Sequence, residues 1–169
     1  MLKHHSRPLA AAVAAAIATA IAVTGITTAS ATPRTTFAVS GTEHFQAVTA
    51  SATSSTQPVI AYGVFTAGGT DHQGSKVDTF VFPTGSFKVT HSKGAGTVKV
   101  NPKTCLVTAS LHGTITISGG TGAYAGISGH GTYQASVLAI DAQPGGKCSQ
   151  TMPPITYEQT IKASGPISP

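Results

Sequence analysis

The chain has 169 residues, a formal net charge of +5, and charged side chains at only 9% of its positions. Beyond residue 31 it contains three Leu (Leu106, Leu111 and Leu138), no Trp, abundant Gly and Pro, and a large excess of Thr and Ser. Leu is a strong helix former whereas Thr and Val suit a pleated sheet, so this balance excludes a helical bundle, and the singly scattered basic residues exclude the concentrated positive face of a nucleic-acid binder.

At the N-terminus, Lys3-His4-His5-Ser6-Arg7 precedes an Ala/Val/Ile run from Leu9 to about Ile26, and Thr27-Thr28-Ala29-Ser30-Ala31 follows. A basic segment, an apolar segment and a small-residue A-x-A site are the parts of a secretory signal, so residues 1–31 are read as a signal peptide cleaved after Ala31. The apolar run approaches spanning length, which is the anchor alternative. Its alanine-rich composition and small-residue ending favour removal, leaving 32–169 as a single secreted domain with no stable membrane anchor. Cys105 and Cys148 are the only cysteines. In an exported chain an even pair reads as one disulfide, here tying the start of one long strand to the loop after the next.

Strands are expected at about 43–50, 58–67, 76–82, 86–91 and 96–100. They are separated by breakers at Ser54-Ser55, Gly68-Gly69, Pro83-Thr84-Gly85, Gly94-Ala95-Gly96 and Asn101-Pro102. A tight turn at Thr84-Gly85 would place Phe82 opposite Phe87, Phe80 opposite Val89 and Asp78 opposite His91, all on one face. From Cys105 to Ser118, Val107, Ala109, Leu111, Ile115 and Ile117 alternate with hydroxyl-bearing residues, marking a long half-buried strand. Gly129–Asp141 repeats the arrangement with Tyr133, Ala135, Val137 and Ala139 on the dry side. Matching dry face to dry face sets His112 near His130 or Thr132 on the wet face. A last strand carries Ile155, Tyr157, Ile161 and Ala163 on one side. No segment combines helix caps with an apolar 3.6-residue period, so essentially no helix is expected. Eight strands with short links suit an all-β, antiparallel up-and-down barrel, with an open sandwich as the alternative.

Six glycines between Gly119 and Gly131 suggest a phosphate cradle, but the segment continues as strand rather than opening a helix, so a wide turn and close backbone approach are the better reading. Gly126-Ile127-Ser128-Gly129-His130 lacks the final glycine of a nucleophile elbow. Gly68–Gly74 is read as a polar loop with too few carboxylates for calcium. The histidines show no zinc spacing; His112 and His130 could meet across their hairpin, and exposed unliganded imidazoles are the alternative. No cofactor or metal is expected. Asp78 and His91 are the candidate acid/base pair, at the rim of a barrel lined by Phe80, Phe82, Phe87 and Val89; an exposed cross-strand charge pair is the bland alternative.

The segment Ile117–Tyr133 resembles the glycine-rich hairpin of allene oxide cyclase-like and dirigent-like barrels. Thr66-Ala67-Gly68-Gly69-Thr70-Asp71-His72, Phe82-Pro83-Thr84-Gly85 and Lys162-Ala163-Ser164-Gly165-Pro166 are similar to phrases in small secreted actinobacterial proteins of that type. The resemblance implies an eight-stranded antiparallel barrel with a mostly apolar interior. The plant cyclases steer ring closure of a fatty-acid epoxide, and dirigent proteins orient phenoxy radicals; none of their functional residues can be matched to positions here. The expected function is therefore binding of a small apolar or aromatic molecule without catalysis. The alternatives are a cyclase, isomerase or dirigent-like protein that orients a substrate inside the barrel, and an inert extracellular structural protein.

Overall fold

A computed structural model describes residues 38–169; the expected signal peptide and its cleavage site lie outside the described residues. Nine strands follow in order: β1 (Gly41–Thr49), β2 (Thr56–Tyr62), β3 (Ala67–His72), β4 (Val77–Phe82), β5 (Gly85–His91), β6 (Ala95–Val100), β7 (Leu106–Ser118), β8 (Ser128–Ile140) and β9 (Thr156–Ser168). The helical content of the described residues is two single 3₁₀ turns, Gly122–Tyr124 and Pro144–Gly146. Every pairing is antiparallel, in the order β5-β4-β3-β2-β1-β9-β8-β7-β6, and β5 also pairs with β7. That last ladder closes eight strands into the expected barrel.

Membership of the eight differs from the sequence reading. The expected strand 58–67 is two strands, broken at Gly63–Thr66, and the stretch read as a polar loop at 68–74 supplies β3. Gly69 belongs in that strand because a Cβ there would meet the Val81 carbonyl oxygen at 2.3 Å and the Phe82 ring at 2.6 Å. Conversely, β6 lies outside the closure. Strand β7 is long enough to pair with β5 through Ile115–Ser118 and with β6 through Val107–His112, so β6 joins only the overhang of the longer strands, and all six of its residues are exposed.

The alternation read in β7 and β8 holds: Ile115, Ile117, Ala135 and Ala139 are buried, and the residues between them in each strand that face solvent include Thr114, Thr116 and Ser136, with Leu138 and Ile140 exposed beside Ala139. Ile155, expected on the dry side, instead precedes β9 and is exposed. In the β7–β8 hairpin, dry residues pair with dry ones, but the register sets His112 opposite Gln134 and His130 opposite Thr116. The two imidazoles are thus four positions apart along the ladder, on the order of 13 Å at strand spacing, too far to share a metal.

The β4–β5 register is also shifted. Phe82 pairs with Gly85, Phe80 with Phe87 and Asp78 with Val89, so the turn is Pro83-Thr84. Gly85 is reserved for a different purpose: a Cβ there would strike the Thr121 carbonyl oxygen at 2.1 Å. The β7–β8 loop docks on this turn, with the Thr121 N–H donating to the Ser86 carbonyl and the Ala123 N–H to the Thr84 carbonyl, both at 2.8 Å. A shift of two residues preserves the side-chain face, so Phe80, Phe82, Phe87 and Val89 all point inward and are buried as expected.

The docked loop carries Tyr124 and Ile127 into that end of the barrel, where both are buried. Tyr124 meets Phe65 at a ring-centroid distance of 5.0 Å, Phe87 at 5.4 Å and Phe82 at 5.7 Å. Phe80 and Phe45 continue the aromatic stack toward the middle of the barrel. This end is sealed by rings. Across the opposite end, Cys105 bonds to Cys148 (Sγ–Sγ 2.05 Å), joining the start of β7 to the loop after β8 as expected.

Candidate functional site in the barrel mouth

The unsealed end holds a cavity of about 250 Å³, the share of roughly eight liquid waters. Its walls come from nearly every strand of the barrel. Phe45 and Ala47 of β1, Val59 of β2, Phe80 of β4 and Val89 of β5 form one side; Leu111 and Ile115 of β7, Tyr133 and Ala135 of β8, and Ile161 and Ala163 of β9 form the other. Polar side chains enter from Asp71, Gln73, Asp78, His91 and Gln159. Phe82 and Phe87, expected to line the lumen, sit deeper in the aromatic stack and do not reach the cavity wall.

Asp78 and His91 both line this cavity and are both half-buried. They are diagonal rather than opposite neighbours, because the register places Val89 across from Asp78. Diagonal side chains on one sheet face remain within reach of each other, and His91 Nε2 lies 3.6 Å from Asp78 Oδ1. The Gly74 N–H donates to the same Asp78 oxygen at 2.8 Å. His91 also presents its ring edge to Tyr133, with centroids 6.3 Å apart. The Tyr133 hydroxyl in turn donates to the Ser92 carbonyl at 3.1 Å, fixing the ring across the mouth.

The most deeply placed polar group of the cavity lining was not among the sequence candidates. Asp71 is 2% exposed, and Gln57 beside it is equally buried. Gln57 Nε2 donates to Asp71 Oδ2 at 2.8 Å. Asp71 Oδ1 and Gln57 Oε1 have no hydrogen-bond partner among the described residues. Burial pushes the Asp71 carboxyl up to about 6, the Gln57 hydrogen bond opposes this, and the nearby Asp78 adds to it. The glycines of β3 hid Asp71, since they erase the two-residue pattern around it. Gln57 did carry a signal: it is in phase with Val59 and Ala61, both buried, and so must point inward.

The same logic applies to Glu43 near the sealed end, in phase with Phe45 and Ala47 and fully buried. Its Oε2 accepts the Phe65 N–H at 3.1 Å, which holds the β2–β3 loop. Burial raises its pKa, and backbone N–H groups of Phe65, Val64 and His44 pull the other way. Glu43 Oε2 is thus committed to the loop and its Oε1, like Asp71 Oδ1, has no partner among the described residues, but only Asp71 lines the cavity.

Among the described residues, no group of three or more His, Cys, Asp or Glu side chains could hold a metal ion. No described helix is long and apolar enough to cross a membrane. Comparison of the chain with protein-family models, with curated proteins and with solved structures finds no match.

Proposed function

We propose that the protein is an extracellular binding module that takes a small, largely apolar or aromatic molecule into the barrel mouth. The observation that carries this reading is the cavity itself: aromatic and aliphatic walls from both sides of the barrel around a few converging polar groups, the usual make-up of a small-molecule site. An eight-stranded barrel can be filled by its own side chains, and this one is filled at only one end. Export through a cleaved signal peptide fits the disulfide, because such bonds persist in oxidising compartments. Kinship with allene oxide cyclase-like and dirigent-like barrels belongs to this proposal too. Its support is the glycine-rich β7–β8 hairpin together with the architecture that hairpin helps to build.

A second reading is an isomerase or cyclase that encloses and orients its substrate. The observation favouring it is that Asp71 and the Asp78–His91 pair all line one cavity, so a proton acceptor and a proton donor are available to a single bound molecule. The inert structural alternative rests on the hydroxyl-rich outer faces of β7 and β8 and leaves the cavity without a role.

The test is untargeted mass spectrometry of small molecules released by denaturing the protein after native purification from its own host. Recovery of one enriched apolar or aromatic compound is expected. Recovery of none, from protein that retains its fold, would contradict binding. Release of a compound together with an isomer of it would favour the enclosing enzyme.

A further inference from the structure

Asp71 lines the cavity, and its Oδ1 is a buried acceptor without a partner among the described residues. Two carboxylates, Asp71 and Asp78, line the cavity, and neither Lys nor Arg does. The rings of Phe45, Phe80 and Tyr133 are part of the wall. An unpaired buried acceptor costs the desolvation of that group and is relieved by a donor, most strongly by a charged one. Aromatic faces add attraction for a cation held against them.

We propose that the mouth cavity selects a small organic ammonium ion, a protonated amine carried on a compact aromatic or branched aliphatic body. The inference rests on the binding reading above and names the class of ligand. The ammonium donates to Asp71 Oδ1, while Gln57 holds the other Asp71 oxygen in place. The apolar body lies against the wall formed by Val89, Ile115 and Ala135. Asp78 is already engaged by the Gly74 N–H and His91. Its part is to add negative potential at the entrance, whereas Asp71 receives the ligand. A carboxylate ligand is rejected, since it would bring a third anion into the cavity and offer no donor.

Calorimetric titration of the folded protein at pH 7.5 with three probes of similar body, 2-phenylethylammonium, 2-phenylethanol and phenylacetate, tests this without any variant. The ammonium is expected to bind at least tenfold more tightly than the alcohol, and phenylacetate to give no measurable heat. Asp71→Asn, which keeps the size of the side chain, should lower ammonium affinity at least tenfold and leave alcohol affinity within about threefold, the size of effect given by a charged hydrogen bond. Equal affinity for ammonium and alcohol would overturn the ammonium inference and leave the binding reading standing. Retention of ammonium affinity in a folded Asp71→Asn protein would do the same. Failure of all three probes would count against both.

Discussion

The two ends of the barrel use the same strands and reach opposite outcomes. At the end where β4 turns into β5, a loop of glycines settles onto the turn and inserts Tyr124 and Ile127, and the lumen fills with rings. At the other end, β7, β8 and β9 run 13 residues each, past the shorter strands opposite them. There the β3–β4 loop contributes Gln73 and Gly74 to the wall without filling the lumen, and a cavity remains. Each end also buries a carboxylate. Each carboxylate has one oxygen without a partner among the described residues; the other oxygen of Glu43 accepts a backbone N–H from the loop beside it, whereas Asp71 lines the cavity. One end is closed by its own side chains, and the other holds a cavity.

Truncating the sealed end should do the most damage. Phe87 is fully buried and touches four other aromatic rings besides Phe65. Phe87→Ala should therefore cost about 3–5 kcal/mol in denaturant unfolding, as buried Phe deletions do. Leu111→Ala in the mouth, half-buried beside existing space, should cost less than about 2 kcal/mol. Equal losses would erase the distinction between the ends.

Reduction of Cys105–Cys148 comes next. The bridge closes a loop spanning 43 residues, worth up to about 4 kcal/mol in the chain-entropy description. Because it pins the overhanging ends of β7 and β8, amide exchange should accelerate there first, with the Tyr124 region staying protected. Equal melting temperatures with and without reductant would contradict the bridge.

The buried acids give a smaller and signed effect. Both fold with raised pKa values, Asp71 reaching about 6 from an ordinary 3.8 and Glu43 rising from 4.5. The folded state therefore holds protons that the unfolded chain has released. Stability is greatest below about pH 4 as far as these two groups are concerned, and falls as pH rises through about 6. The Asp71 share is about 3 kcal/mol, so the melting temperature should drop by roughly 10 °C between pH 4 and pH 7. Asp71→Asn should remove most of that slope and Glu43→Gln the remainder. A melting temperature rising with pH over this range in the wild-type protein would reverse the assignment.

Much of this was legible from two-residue periodicity. Val107 to Ile117 and Tyr133 to Ala139 declare their inner face because apolar side chains fall on alternate positions, and the disulfide followed from two cysteines in a chain whose N-terminus reads as an export signal. Asp78 and His91 were placed on the correct face even though the turn was misplaced by one residue, since the resulting two-residue shift in register conserves parity. What escaped was whatever depended on contacts distant in sequence. Gly85 serves the Thr121 loop rather than its own turn, and nothing in residues 78–91 states that. Gly69 of strand β3 is glycine because Val81 and Phe82 press on its backbone, and the glycine pair concealed Asp71. Strand β6 alternates no worse than its neighbours, but only the closure of β5 on β7 leaves it outside the barrel.

The most direct test of an open mouth and a sealed base is methyl-resolved NMR under xenon pressure, because xenon enters apolar space without needing hydrogen bonds. The methyl signals of Val89, Leu111, Ile115 and Ala135 should shift saturably, and those of Ile127 should stay fixed. A shift at Ile127, or no saturable shift at the mouth, would contradict the account.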